Sequence, residues 1–138
     1  MDKFRAIVVD DEASVCEAVK AILESEGIEA VSFTRSKDAL ETIRNENFDL
    51  VITDLKMPEM DGMDLYRRIA QRYPALRGRV VLVTGDTLSP STAEFLQETG
   101  APTVRKPFSA RDLRSAVQTA REGRPPAKPP LGEATRPD

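Results

Sequence analysis

A chain of 138 residues with 23 acidic and 20 basic side chains, a net charge of -3 and no histidine has room for one domain with a core, and is too short for two ordinary ones. Its mixed charge offers no basic stripe for nucleic acid, and with neither an apolar run near the roughly 20 residues of a membrane span nor a signal-peptide core after Met1 it reads as cytoplasmic. The absence of histidine excludes Ser-His triads, histidine acid/base catalysis and most transition-metal sites, and the single cysteine, Cys16, excludes an internal disulfide.

Ala6-Ile7-Val8-Val9 is an apolar run, read as a strand, that ends in Asp10-Asp11. Val15, Ala18, Val19, Ile22 and Leu23 then recur at helical spacing, which predicts a helix from about Ser14 to Gly27 with Cys16 as a buried, inert thiol and Asp10 or Asp11 in reach as N-cap. Ile28 to Phe33 alternates as a second strand, and Ser36 is placed to cap a helix carrying Ala39, Leu40 and Ile43. Asp49 to Thr53 is the third strand and runs into Asp54; Pro58 and Asp61-Gly62 punctuate the loop before a third helix with Leu65, Ile69 and Ala70 on one side. Val80 to Val83 is apolar at every position, as a strand covered on both faces must be, and it ends at Thr84. Ser89-Pro90 opens a fourth helix containing Phe95-Leu96 and closing by Gly100, and Thr103 to Arg105 forms a short fifth strand before Lys106. Ser109 and Asp112 spell a capping box, with Asp in place of the usual Glu or Gln, for a helix whose apolar face is Leu113, Ala116, Val117 and Ala120. The periodicity stops at Glu122: residues 1–121 read as the folded domain and residues 122–138 as a proline-rich tail or linker, its PxxP at Pro126–Pro129 a solvated spacer rather than a docking motif.

Five strands alternating with five helices through short connections require parallel pairing, right-handed crossovers and helices on both faces of one sheet. In such an α/β sheet ligands bind outside the carboxyl ends of the strands where the strand order reverses, which for the order 2-1-3-4-5 lies between strands 1 and 3. Asp10, Asp11, Asp54, Thr84 and Lys106 all fall within a residue or two of a strand end. Converging carboxylates repel one another and any arriving phosphate, and a hard divalent cation, Mg2+, resolves that repulsion. Asp54 is then the candidate nucleophile toward phosphorus, Lys106 the counter-charge and Thr84 the hydroxyl for the phosphoryl oxygens. Singly, each has a structural explanation as cap, turn residue, strand end or surface lysine; those explanations do not account for complementary types at the ends of four strands.

Val8-Val9-Asp10-Asp11-Glu12, Asp49 to Pro58 with Asp61-Gly62, Val81-Leu82-Val83-Thr84-Gly85, and Gly100-Ala101 to Lys106-Pro107-Phe108 resemble, in this order, the receiver domain of two-component response regulators over about residues 3–121. The resemblance implies a flavodoxin-like (βα)5 receiver fold with a single five-stranded parallel sheet. It implies a phosphoacceptor signalling module rather than an enzyme, taking its phosphoryl group from a phosphohistidine on a sensor histidine kinase or histidine phosphotransfer protein, with slow autodephosphorylation. Asp54 would be the phosphoacceptor; Asp11 and Asp54 would bind Mg2+, with Asp10 close by through water and the backbone carbonyl of Lys56 as a further ligand. Thr84 and Lys106 would hold the phosphoryl group, the Lys106-Pro107 bond would be cis, and the fourth helix, fifth strand and fifth helix would form a docking or homodimer face.

The chain departs from the family three residues before the lysine, where Thr103 stands in place of an aromatic that swings inward on activation. The signal is therefore expected to leave through Leu88 or the fourth helix. Lys56 and Asp86 occupy positions that tune phosphate lifetime in the family and carry opposite charges able to pair. A dehalogenase-type phosphatase would need an aspartate where Lys56 stands, and a flavin or nucleotide module a Gly/Ser/Thr-rich cradle where Asp10-Asp11-Glu12 stands. A degenerate, scaffold-only receiver is favoured by Thr103 and opposed by the complete acidic set with Thr84 and Lys106. No output domain is legible, so the chain reads as a stand-alone receiver or a segment of a longer regulator or hybrid kinase.

Overall fold

The pleat of five strands sorts the apolar side chains into two layers. In the computed structural model, which describes residues 3–85 and 89–122, β1 (Arg5–Val9), β2 (Glu29–Phe33), β3 (Leu50–Asp54), β4 (Val80–Thr84) and β5 (Thr103–Arg105) form one parallel sheet in the order β2-β1-β3-β4-β5. They alternate with α1 (Ala13–Ser25), α2 (Ser36–Asn45), α3 (Gly62–Arg72), α4 (Pro90–Thr99) and α5 (Ala110–Arg121), the expected flavodoxin-like α/β arrangement. Ala6, Val8, Leu50, Ile52, Val81 and Val83 face one layer with Cys16, Val19 and Leu23 of α1 and Leu113 and Val117 of α5. Their neighbours Ile7, Val9, Val51, Val80 and Leu82 face the other, with Ile43 of α2, Leu65 and Ile69 of α3 and Phe95 of α4. β3 and β4 are buried at every position, and each large apolar side chain removed from water there contributes about 1.5–3 kcal/mol. Among the described residues no helix is long and apolar enough to cross a membrane. Leu88, Asp86 and the proline-rich segment after Glu122, with the expectations placed on them, lie outside the described residues.

Where boundaries differ from the periodicity, a tertiary contact is the cause. Asp49 stays outside β3 because its carboxylate accepts the Arg5 backbone N–H at 2.9 Å, so the strand runs one residue later than predicted and ends on Asp54, paired in register with Val83. Ser36 does not cap α2; Arg35 holds that position without a side-chain bond, and the buried Ser36 hydroxyl donates to the Met60 carbonyl at 2.8 Å. Neither Asp10 nor Asp11 caps α1, whose N-cap is Glu12; Asp10 Oδ1 instead accepts the Glu12 N–H at 2.9 Å. Ser89 caps α4 and Ser109 with Asp112 forms the capping box of α5, as predicted. α1 stops at Ser25, and Gly27, at φ 77°, follows in the left-handed conformation that glycine adopts without a Cβ clash. On α3 Tyr66 joins Leu65 and Ile69 as a buried residue, and Ala70 packs partly buried against the same cluster. A 3-10 turn at Pro74–Leu76, absent from the periodicity, sets Leu76 in the core ahead of β4.

Candidate functional site

The sheet order places β1 between β2 and β3, so the chain leaves β1 in opposite directions and a crevice opens at the carboxyl ends of β1 and β3. Asp10 follows β1, its backbone N–H held by the Phe33 carbonyl at 3.1 Å, and Asp54 is the last residue of β3. Thr84, buried, ends β4, and its carbonyl accepts the Lys106 N–H at 2.8 Å, which ties the residue after β5 to the same edge. The Lys106-Pro107 bond is cis. Lys106 Nζ lies 3.0 Å from Glu12 Oε1, 3.1 Å from Asp10 Oδ2 and 3.3 Å from Asp54 Oδ2. One carboxylate oxygen from each of Asp10, Asp11 and Asp54 lies within 4.8 Å of the others, Asp10 and Asp54 buried and Asp11 exposed. Beside them is a cavity of about 640 Å3 whose lining includes Lys56, Gly85 and Lys106 together with the apolar Val15 and Phe108.

Burial dominates the electrostatics of the two inner aspartates. It pushes the Asp54 carboxyl above the usual range, the neighbouring charge of Asp10 adds to that, and Lys106 opposes it. Asp10 is likewise raised by burial, against the Glu12 N–H and Lys106. Burial works against the charged form of Lys106 too, but Glu12, Asp10 and Asp54 outweigh it and hold the ammonium above the ordinary lysine value. Cys16 lies beneath this cluster, its thiol donating to the Asp10 carbonyl at 3.3 Å; burial and the charge of Asp10 push it up, which keeps it protonated and inert. The buried Asp10 Oδ2 meets Lys106 as a charge contact only and has no hydrogen-bond donor among the described residues. An oxygen-only set of three carboxylates, one buried oxygen lacking a donor and one member open to solvent, fits a hard divalent cation that keeps part of its water shell.

The response regulator receiver domain model matches residues 6–118. The chain belongs to this family. It is 32% identical over 117 residues to the C4-dicarboxylate transport transcriptional regulatory protein DctD of Rhizobium meliloti, a match covering 85% of this chain and 25% of DctD. The chain spans about a quarter of the length of DctD and of similar curated transcriptional regulators. It is 29% identical to the response regulator receiver protein CpdR of Brucella abortus, covering 83% of this chain and 93% of CpdR. Among solved structures, a CheY-like response regulator receiver domain protein from Methanospirillum hungatei superposes with a TM-score of 0.79 at 30% identity, covering 88% of this chain and 97% of that one.

In this receiver domain the strand ends bring Asp10, Asp11, Asp54 and Lys106 into one cluster, with Thr84 at the adjoining strand end. The Lys56 N–H points back to Asp54 Oδ1 at 3.5 Å, so the turn after β3 wraps the aspartate. Two positions noted in the sequence gain roles there that sequence reasoning did not assign. Glu12 makes the shortest contact to Lys106, and its place after Asp10-Asp11 is the signal that pointed to it. Gly62 carries no side chain, yet its N–H donates to the Leu55 carbonyl at 2.9 Å and closes the loop onto the end of β3. Thr103 is exposed on β5, its hydroxyl donating to the Ala101 carbonyl at 3.0 Å.

Proposed function

We propose that this receiver domain accepts a phosphoryl group from a phosphohistidine of a partner kinase or phosphotransfer protein onto Asp54, in a Mg2+-dependent reaction, and thereby controls a downstream partner or output domain. One observation carries the reading: the buried Asp54 carboxylate lies 3.3 Å from Lys106 Nζ inside the cluster it forms with Asp10 and Asp11. An Asp54 oxygen bonds to phosphorus as the bond from phosphorus to the donor imidazole nitrogen breaks, the electron pair staying on that nitrogen. These 138 residues include no histidine, so the donor imidazole lies outside them. Asp10, Asp11, Asp54 and the Lys56 main-chain carbonyl would hold Mg2+, which when bound supplies positive charge to the phosphoryl oxygens. Lys106 supplies a second positive charge, and the Thr84 hydroxyl donates to one oxygen. Lys56 offers no acid/base carboxylate where a phosphatase would carry one, so water removes the phosphoryl group slowly.

Thr103 has no ring to swing inward, so the signal passes through the segment after Thr84 and α4. The face of α4, β5 and α5, with its polar groove of about 500 Å3 along Thr103, Arg105 and Asp112, is the surface we assign to a partner or a second copy. The site of action is cytoplasmic, where the donor kinase carries its phosphohistidine.

Incubation with acetyl phosphate, followed by intact mass, tests the reading. A single phosphoryl adduct is expected on the wild type with Mg2+ and none on Asp54→Asn or in chelator. Full modification of the mutant, or modification that ignores Mg2+, would remove the basis of the mechanism. Size-exclusion chromatography with a beryllofluoride mimic should show dimers, and an unchanged elution volume would count against that role for the α4, β5 and α5 face.

A further inference from the structure

Lys106 has three charge partners, and they are not equivalent. Asp10 and Asp54 belong to the carboxylate cluster that fits a cation, whereas Glu12 does not. Glu12 nevertheless makes the shortest contact, 3.0 Å, with its carboxylate at the mouth of the site and 60% exposed. Its backbone is fixed: it is the N-cap of α1, and its N–H is bound to Asp10 Oδ1 at 2.9 Å. A divalent cation taken up by Asp10 and Asp54 engages the same two carboxylates that face Lys106, and it also repels the ammonium. The lysine stem is four flexible carbons long, so an ammonium released there would swing into water. Of its described partners, Glu12 alone stays available once the aspartates are occupied.

Resting on the phosphoacceptor reading above, we propose that Glu12 is a positioning residue for Lys106, holding the ammonium at the mouth of the site when the metal occupies the aspartates, where the phosphoryl oxygens arrive. Magnesium titration calorimetry on wild type, Glu12→Gln, Lys106→Met and the double variant tests this as a cycle. Glu12→Gln should weaken Mg2+ binding about threefold to fivefold, the size expected for one partly exposed ion pair. The loss should vanish in the Lys106→Met background, because without the ammonium Glu12 has nothing to hold. Equal weakening in both backgrounds would mean that Glu12 acts through its charge on the metal alone, and would overturn the proposal.

A second readout needs no turnover: hydrogen exchange of the Lys106 ammonium, followed by nuclear magnetic resonance in Mg2+-saturated protein. It should be slowed in the wild type, fast in Glu12→Gln and slowed again in part in Glu12→Asp; the same exchange in wild type and Glu12→Gln would overturn the proposal. Failure of the underlying site looks different. In that case Asp54→Asn would still be modified by acetyl phosphate, whereas loss of modification in Asp54→Asn together with an additive cycle sinks the Glu12 assignment alone.

Discussion

Asp54 and Asp10 face a single ammonium from positions closed to solvent, so each holds its proton to higher pH than a free aspartate. The sign of the consequence follows from linkage. With the folded value above the unfolded 3.8, the native state carries more protons than the unfolded chain between the two, and stability falls as pH rises through that window. Lys106 acts in the same sense at alkaline pH: its contribution is present below the unfolded 10.5 and is lost as pH climbs through its raised folded value. In the metal-free protein four carboxyl groups, those of Asp10, Asp11, Glu12 and Asp54, gather at the strand ends around the one ammonium of Lys106. Asp54→Asn is expected to stabilise the metal-free protein by about 1 kcal/mol at neutral pH, and by less at acid pH where the wild-type carboxyl is itself protonated. Urea denaturation in chelator at the two pH values measures this, and a mutant less stable than wild type would show that lost pairing with Lys106 outweighs relieved repulsion. At this scale the chemical types were legible: aspartates, a threonine and a lysine beside apolar runs are visible in one dimension. Which of them share a lysine was not, because burial and the approach of Glu12 to Lys106 depend on where α1 starts in space.

The loop from β3 to α3 shows what an element can hide. Asp61-Gly62 is legible as turn chemistry, and Asp61 does cap α3 through the Asp64 N–H at 2.9 Å. The packing of Gly62 is not legible, since it depends on where the end of β3 lies. A Cβ on Gly62 would stand 2.0 Å from the Asp54 carbonyl oxygen and 2.7 Å from Leu55 Cα, both backbone atoms that no side-chain rotation can clear. Gly62→Ala is expected to cost about 3 kcal/mol, in the range of severe overpacking, and to slow phosphorylation because Asp54 must shift with its backbone. Denaturation midpoints with acetyl phosphate rates measure both, and an unperturbed rate would separate the loop from the placement of Asp54. Ser36 makes the same point from the other side of the loop. Its hydroxyl looked like a helix cap but holds the Met60 carbonyl, so Ser36→Ala should cost about 1 kcal/mol by urea denaturation without affecting the start of α2, which Ser36 does not cap.

Across the whole molecule, two layers of helices cover a sheet whose strand order brings distant residues to one edge. The alternation of strand and helix made parallel pairing and the two-sided core legible, and the all-apolar runs at Leu50–Ile52 and Val80–Val83 marked the central strands. The edge itself came from connectivity: Asp10, Asp54 and Lys106, up to 96 positions apart in the chain (106 less 10), meet because β1, β3, β4 and β5 lie side by side and point the same way. An acidic cluster assembled only by the fold would make the proposed metal binding a property of the native state, and linkage would then make it a stabilising one. With free Mg2+ at about 100 times its dissociation constant the native state should gain about 2.7 kcal/mol, which for a domain of this size raises the melting temperature by roughly 10 °C. The gain should shrink as pH falls, since Asp10 and Asp54 release their protons late and must lose them to bind a cation. It should be largely absent in Asp11→Ala, which removes the exposed carboxylate without disturbing the core. Thermal melts in MgCl2 and in chelator, at neutral and at acid pH, decide the matter. Equal melting temperatures with and without Mg2+ at neutral pH would mean that the strand-end aspartates do not hold the cation on which the proposed transfer to Asp54 rests.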